Sequence, residues 1–182
     1  MAAMGAQMRV EQFLALPEEE AFRRELIRGE IVEMVNARLF HEIVKGILNK
    51  LLAVYTVRHP EFFLIPETIY LVSESDAFQP DLSLARTAEV ARKDPFQRQR
   101  GTPLLAVEIV SSETAERIDY KVEVFLQRGA EAVWVVYPEH QSVTAHYRDG
   151  FARRLHLADT LEEPAILPGF SVPLRELFKP LT

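Results

Sequence analysis

The sequence contains no cysteine, and this absence removes several kinds of chemistry at once. A chain without thiols has no disulfides, no thiolate metal ligands and no cysteine nucleophile. Any metal ion would have to bind oxygen ligands or the five histidines. Oxygen ligands favour hard cations such as Mg²⁺, so the composition points away from structural zinc.

Long hydrophobic runs are also missing. No apolar stretch approaches the roughly 20 residues that a membrane-spanning helix needs, and the N-terminal sequence lacks the basic start and hydrophobic stretch of a signal peptide. We therefore expect a cytoplasmic protein without a membrane partner. Since 48% of its 182 residues are hydrophobic, the chain can bury a core, and we expect one domain over residues 1–182.

The sequence also has no excess of positive charge. The formal net charge is −6 and the sequence pI is about 5.4, so the field of the whole molecule repels polyanions. Binding to nucleic acid would need a local basic surface. Residues 86–100 supply one such surface, with five basic and two acidic residues.

The order of helical and strand-like segments predicts a mixed α/β fold. A short helix precedes two strands that turn at Arg28 and Gly29. Apolar residues at helical spacing predict a core-packed helix that stops before Pro60: Phe40, Val44, Ile47, Leu51 and Val54. Strand-like segments follow at residues 61–72, 81–86, 103–110, 132–138, 141–148 and 151–158, and a helical turn follows at residues 173–178. We expect a mixed central sheet flanked by helices.

A second long helix is predicted over residues 113–128, with Ser111 or Ser112 as its N-cap and Gly129 just past its end. At 100° per residue, Ala115, Ile118, Val122 and Phe125 share a face that should be core. Basic side chains follow one border of this face, and acidic ones follow the other. The basic border is Arg117, Lys121 and Arg128.

Glu108 stands inside the apolar run LLAVEIV, where burial of an ionised carboxylate is unfavourable by several kcal/mol unless a partner compensates. Asp81 follows Pro80 at the start of another predicted strand. Two carboxylates on neighbouring strands can converge on one Mg²⁺ ion. The alternative is a glutamate at the sheet margin, paired with one of the sixteen arginines.

Lys121 is the candidate third member of this constellation. It lies on a helix that should fold back from the end of the Glu108 strand, so its ammonium could reach a water held near the two carboxylates. There it would orient and help deprotonate that water, or neutralise charge in the transition state. The alternative is an ordinary amphipathic helix whose arginines, Arg117 and Arg128, are solvated.

These segments resemble the Uma family of restriction-endonuclease-like nucleases, in the PD-(D/E)XK superfamily, over residues 11–178. The resemblance rests on the strings ELIRGEIV, LFHEIV, QPDLSLA, LAVEIVSSET, DYKVEVFLQRGAEAVWVVYPEHQSVTAHY and LPGFSVPLRELF. It implies a single restriction-endonuclease-like domain with a mixed central β-sheet flanked by helices.

The resemblance also implies roles for particular residues. Asp81 matches the PD aspartate and Glu108 the acidic member of the (D/E)XK triplet, which here reads Glu108-Ile109-Val110. Valine therefore stands where the superfamily usually has lysine, and Lys121 matches the family position that replaces it. His41 matches a histidine near the start of the first core helix, with a neutral, partly buried histidine as the alternative.

The sequence therefore predicts a metal-dependent endonuclease acting on DNA. Asp81, Glu108 and the Ile109 carbonyl would bind Mg²⁺ or Mn²⁺, and Lys121 would position the hydrolytic water. His41, Ser111 and Asp119 are candidate auxiliary residues, and Arg117 and Arg128 are candidate phosphate contacts. Two alternatives remain: a binding module on a nuclease scaffold, favoured by the acidic pI, and a phosphodiesterase acting on RNA or nucleotides. We also expect a homodimer.

Overall fold

A six-stranded mixed sheet lies at the centre of the protein, which we describe from a computed structural model. The structure describes residues 7–17, 23–34, 38–94 and 97–179. Its elements, in chain order, are α1 (Val10–Leu14), β1 (Arg23–Ile27), β2 (Glu30–Met34), α2 (Leu39–Arg58), β3 (Phe62–Pro66), β4 (Tyr70–Leu71), β5 (Ala77–Phe78), β6 (Leu82–Arg86), α3 (Thr87–Val90), β7 (Gln99–Arg100), β8 (Leu105–Ile109), α4 (Ala115–Arg128), β9 (Ala132–Tyr137), β10 (Ser142–Tyr147), β11 (Ala152–Leu155), β12 (Thr160–Glu163), β13 (Leu167–Pro173) and α5 (Leu174–Leu177).

The central sheet has the strand order β11-β10-β9-β8-β6-β3. β8 and β9 run parallel, whereas the other neighbouring strands are antiparallel. Every residue of β8 is buried, as expected for a central strand covered on both faces, whose sequence is a nearly continuous apolar run. Glu108 therefore lies in the interior of the sheet, and the sheet-margin alternative is wrong.

Alternation along β8 assigns its side chains to two different cores. Leu105, Val107 and Ile109 pack with α2, α5 and the β12–β13 hairpin. Ala106 packs on the opposite face, against α4, and Glu108 has the same parity as Ala106. The buried carboxylate therefore points to the layer that contains α4.

A second sheet completes the α4 layer, with the order β2-β1-β5-β4-β7. Its residues Ile27, Val32, Tyr70 and Phe78 share a core with α4. The predicted turn between β1 and β2 is confirmed, because Arg28 and Gly29 both have positive φ, 53° and 76°. Positive φ at both central residues is the signature of a tight two-residue hairpin turn.

The helix α2 ends before Pro60 and packs on the core as the sequence predicts, but the most deeply buried residues lie about one position further along than the predicted set. The residues that it buries are His41, Val44, Leu48, Leu52 and Tyr55, whereas Val54 is 50% exposed. Both sets fit a 3.6-residue period. Phe40, Ile47 and Leu51 are partly buried against the same core, so only Val54 of the predicted set is misplaced. His41 was not included in the apolar set because it is polar, and it contacts Asp81.

The helix α4 begins two residues later than predicted, and its predicted caps are wrong. Thr114 is the N-cap, and its Oγ1 accepts a hydrogen bond from the Arg117 N–H at 3.4 Å. The Glu113 carboxylate instead accepts from the N–H groups of Ser111 and Ser112, at 3.1 Å each. The predicted C-terminal end is confirmed, since Gly129 has φ 127°.

Three short features differ from the predicted elements. The loop expected after residue 158 contains the β12–β13 hairpin, whose prolines and glycine resemble a loop in sequence. The strand expected over residues 61–72 breaks between Pro66 and Tyr70, and β5 was not predicted.

Within the described part of the chain, no helix combines the length and apolar character needed to cross a bilayer.

Candidate active site

Glu108 is compensated by Lys121, which crosses from α4 to the central sheet. The Lys121 Nζ lies 2.8 Å from Glu108 Oε1 and 2.9 Å from Glu25 Oε1, and all three side chains are 1% exposed. The three side chains of the predicted basic border therefore lie in different environments. Lys121 points inward, whereas Arg117 and Arg128 are exposed.

Glu25 is a site residue that the sequence reasoning missed. It lies on β1, and its Oε1 accepts hydrogen bonds from Lys121 Nζ and from the Gln79 N–H, at 2.9 Å and 2.7 Å. Its Oε2 is buried and has no hydrogen-bond partner among the described residues. The available signal was an acidic residue directly before the apolar pair Leu26 and Ile27 in a strand, but this pattern alone does not identify the buried face.

Asp81 is fixed at the end of β8, next to Glu108. It directly precedes β6, and its Oδ2 accepts a 2.8 Å hydrogen bond from the Ile109 N–H. The His41 Nε2 lies 3.5 Å from its Oδ1, and the His41 Nδ1 lies 3.2 Å from Glu42 Oε1. The structure therefore brings Asp81, Glu108, Lys121 and His41 into one site. We call these four residues and Glu25 the acidic cluster.

Negative charge exceeds positive charge in the acidic cluster. Burial raises the pKa of Glu108 to about 8. The attraction of Lys121 opposes this shift, and repulsion from Glu25 and Asp81 adds to it. Burial alone would lower the pKa of Lys121, but the Glu108 and Glu25 carboxylates together raise it. Burial would also lower the pKa of His41, and its contact with Asp81 raises it. Glu25 and Glu108 share one firmly protonated lysine, and Asp81 contacts His41 and the Ile109 N–H.

The donor set fits a hard divalent cation. Within residues 7–17, 23–34, 38–94 and 97–179, no group of three or more His, Cys, Asp or Glu side chains is placed so that it could hold a metal ion. Mg²⁺ does not need such a group, because it usually binds one or two carboxylates and keeps several waters. Glu108 Oε1 is buried and, apart from its ion pair with Lys121, has no hydrogen-bond partner among the described residues. Asp81 and Glu108 can therefore offer oxygen ligands.

A pocket of about 270 Å³ leads to this site. It is lined by residues of α2 and of the segment between β3 and β6: Glu42, Lys45, Gly46, Asn49, Pro66, Glu67, Asp81 and Leu82. Asp81 forms part of its wall although only 1% of the residue is exposed. A small anionic group in this pocket would approach the acidic cluster from the Asp81 side.

The other predicted site residues lie outside the acidic cluster. Ser111 is half-buried at the end of the β8 segment, where its N–H contacts Glu113. Asp119 is exposed, and its charge acts on Tyr137 and His146. Arg117 lines a separate pocket of about 390 Å³ between the β1–β2 hairpin and the start of α4.

The basic segment at residues 86–100 is partly neutralised by the rest of the protein. Arg86 approaches Glu131 at 3.5 Å and Arg100 approaches Glu11 at 3.9 Å. Because the side chains of these pairs are 42–73% exposed, each pair stabilises the protein by only about 0–1 kcal/mol. The segment therefore keeps arginines that can exchange partners.

The fold places the protein in a structural class, the restriction-endonuclease-like fold. The structure is similar to the crystal structure of a putative nuclease belonging to DUF820 from Anabaena variabilis, with a TM-score of 0.84. The two share 16% sequence identity, and the similarity covers 94% of this chain and 97% of that one. At this identity the likeness shows the fold.

The family is shown by the sequence. Residues 10–175 match the family model Uma2, described as putative restriction endonuclease, and the chain belongs to this family. The comparison with curated proteins gives no match. The resemblance and the restriction-endonuclease-like fold expected from the sequence are thus confirmed.

Proposed function

We propose that the protein is a divalent-metal-dependent endonuclease that hydrolyses phosphodiester bonds of DNA. The observation that carries this proposal is the surplus of buried carboxylates around one lysine. Burying charge without a partner is strongly unfavourable, and Glu25 and Glu108 share the single cation Lys121, so the pKa of Glu108 is raised. A bound dication would supply the positive charge that allows Glu108 to ionise.

In the proposed site, Asp81, Glu108 and the carbonyl of Ile109 hold Mg²⁺ or Mn²⁺. When bound, such an ion polarises the phosphate and lowers the pKa of a bound water. The hydrogen bond from the Ile109 N–H to Asp81 Oδ2 fixes the separation between the two strand ends. Preorganisation of this kind avoids rearrangement of the carboxylates during the reaction.

Of the two roles considered for Lys121, its surroundings favour charge stabilisation. A lysine that contacts both Glu25 and Glu108 has a raised pKa and is a poor base at neutral pH. It remains an ammonium group that orients the attacking water and neutralises charge on the pentavalent transition state. Glu25 also contacts this ammonium, at 2.9 Å, and holds it in place together with Glu108.

His41 is proposed as a positioning residue that acts through Asp81. Its ring lies between Asp81 Oδ1 and Glu42 Oε1, so it can restrict the rotation of the aspartate. Arg117 and Arg128, together with the segment at residues 86–100, are proposed to contact backbone phosphates, which position DNA without reading its sequence. A homodimer would allow cleavage of both strands.

The proposal is tested by incubating purified protein with supercoiled and linear DNA in Mg²⁺ or Mn²⁺. The wild type should nick or cut the DNA, and the variant Glu108→Gln should not. Glu163→Gln is a matched control, because it removes a buried carboxylate on a different face. Equal products from wild type, Glu108→Gln and buffer would contradict the proposal, and cleavage of RNA alone would redirect it to RNA.

A further inference from the structure

Three charged side chains meet at the mouth of the pocket that leads to Asp81. The Lys45 Nζ lies 2.8 Å from Glu42 Oε2 and 2.8 Å from Glu67 Oε1. We call Glu42, Lys45 and Glu67 the mouth cluster. It lies outside the acidic cluster, and neither the sequence motifs nor the proposed metal site uses it.

Lys45 is the only cationic side chain among the described residues that line this pocket. Its side chain is 17% exposed, whereas those of Glu42 and Glu67 are 46% and 48% exposed. Burial alone would lower the pKa of Lys45, but its contacts with the two carboxylates raise it. The pocket therefore contains one ammonium group, and water-exposed carboxylates occupy its donors.

The position of Glu67 is strained. Its φ is 48°, a conformation that side-chain-bearing residues rarely adopt. The Glu67 N–H donates to the Asp81 carbonyl at 3.2 Å, and its own carbonyl accepts from Gln79 Nε2 at 2.6 Å. Such strain persists only where surrounding contacts impose it, and it is typical of functional segments. Here the contacts tie the pocket mouth to Asp81.

We propose that Lys45 binds the phosphodiester of the DNA strand that enters the site, and that Glu42 and Glu67 hold its ammonium until DNA displaces them. The identity of the ligand rests on the proposed nuclease function. Because Glu42 and Glu67 are about half exposed, water can solvate either carboxylate when it leaves Lys45, so each ion pair is of modest strength and can exchange. An ammonium–phosphate contact is in turn a charge-assisted hydrogen bond, stronger than one between neutral groups.

A purely structural ion pair is the alternative, and it predicts a different pattern. In that case Lys45→Ala and Glu67→Gln would both reduce stability slightly and leave DNA affinity unchanged. If Lys45 is a phosphate ligand held by competing carboxylates, the two substitutions move DNA affinity in opposite directions. Glu67 is the better carboxylate to replace, because Glu42 also contacts His41.

The experiment measures fluorescence anisotropy of a short fluorescein-labelled duplex with full-length protein in Ca²⁺, a cation that also prefers oxygen ligands. A denaturing gel verifies that the DNA stays intact. Lys45→Ala should raise the Kd about tenfold and reduce the slope of log K against log salt by about one phosphate contact. Glu67→Gln should lower the Kd about threefold, because a competing carboxylate is removed. Lys50→Ala, an exposed lysine on the same helix, should change neither quantity.

Unchanged affinity in Lys45→Ala, or weaker binding in Glu67→Gln, would overturn the inference. So would a wild type that does not bind the duplex at low salt. Wild-type binding that depends on Lys45, without cleavage in Mg²⁺ or Mn²⁺, would support the inference while the proposed nuclease function fails. The two proposals can therefore fail separately.

Discussion

Two buried carboxylates, Glu108 and Glu163, lie in different layers of the same fold. Glu163 is 3% exposed, and its Oε2 accepts hydrogen bonds from Trp134 Nε1 at 3.1 Å and from the Tyr147 hydroxyl at 2.9 Å. Glu108 is 1% exposed and shares Lys121 with a second carboxylate. Neutral donors satisfy the first, and the second lies in a region of surplus negative charge.

The difference shows that burial of a carboxylate is not enough to identify a functional site. Glu163 connects the β12–β13 hairpin to the central sheet, and its two donors account for its burial. Glu108 and Glu25 share a single lysine, and burial with nearby carboxylates raises the pKa of Glu108. An excess of buried charge over available partners distinguishes the candidate active site from a structural anchor.

The largest effect is expected for Lys121→Met. Removing this ammonium leaves Glu25 and Glu108 without a cationic partner, which should reduce the free energy of unfolding by about 3–5 kcal/mol in metal-free protein. Cleavage should fall at least about 100-fold, as for loss of a preorganised charge-stabilising donor. Chemical denaturation and a DNA-cleavage time course measure the two quantities.

Arg117→Met is the matched stability control, because Arg117 lies one turn earlier on α4 and is exposed. Its free energy of unfolding should change by no more than about 0.5 kcal/mol. Retention of wild-type cleavage by folded Lys121→Met would exclude the proposed role of the lysine.

Glu163→Ala is expected to reduce stability without reducing cleavage. It leaves the Trp134 N–H and the Tyr147 hydroxyl without their acceptor, which should cost about 2–4 kcal/mol of unfolding free energy. Burial and the hydrogen bond to Glu163 raise the pKa of Tyr147 to about 12, so the substitution should also lower that pKa in an ultraviolet titration. A loss of cleavage per folded molecule would contradict the proposed difference between Glu163 and Glu108.

Metal binding should distinguish the role of Glu108 from that of Glu163 directly. At a Mn²⁺ concentration 100 times the Kd, the wild type and Glu163→Gln should each gain about 2.7 kcal/mol of stability. Glu108→Gln should gain almost nothing, because a ligand oxygen has lost its charge. Thermal denaturation with and without Mn²⁺ provides the comparison, and equal gains in all three proteins would contradict the site.

A pH dependence should also be specific to Glu108. Its pKa in the folded protein is raised from 4.5 to about 8, so the folded state keeps a proton that the unfolded state releases. Stability of metal-free wild type should therefore fall as the pH rises from about 4.5 to about 8, by up to about 1.4 kcal/mol per pH unit relative to Glu108→Gln. Denaturation midpoints across this range measure it, and parallel curves would count against the raised pKa.

The smallest effect is expected for Asp119→Asn. Its carboxylate is exposed and acts on Tyr137 and His146 instead of the acidic cluster, so cleavage should change less than about twofold and stability by no more than about 0.5 kcal/mol. The pKa of His146, already lowered by burial, should fall further when the nearby negative charge is removed. An NMR titration of His146 measures that pKa, and a large loss of cleavage would restore Asp119 as an auxiliary residue.

Much of the central sheet could be predicted from the sequence, because strong local patterns specify it. The apolar runs around Glu108 and Trp134 indicate buried parallel strands, and Pro60 and Gly129 mark helix ends. Short elements such as β5 and the β12–β13 hairpin depend on pairing between distant residues. Their sequences contain few residues and several strand-breaking ones, so local patterns could not predict them.

The residues of the candidate site could also be predicted only in part from local sequence patterns. Helical geometry placed Lys121 on a border of α4, and the unusual carboxylate in β8 required a partner, so their meeting followed from local reasoning. The contribution of Glu25 could not be predicted in this way, because it depends on how the second sheet packs over α4. For His41, the sequence left a site role and partial burial as alternatives, and its contact with Asp81 could not be predicted because the two residues lie 40 positions apart in the sequence.

The most direct test of the account is the crystal structure of the wild type soaked in Mn²⁺, with anomalous diffraction used to locate the ion. The account predicts one Mn²⁺ between Asp81 and Glu108, at about 2.1 Å from an oxygen of each, with Lys121 still in contact with Glu25. An acidic cluster without an anomalous peak, at Mn²⁺ concentrations that support cleavage, would contradict it.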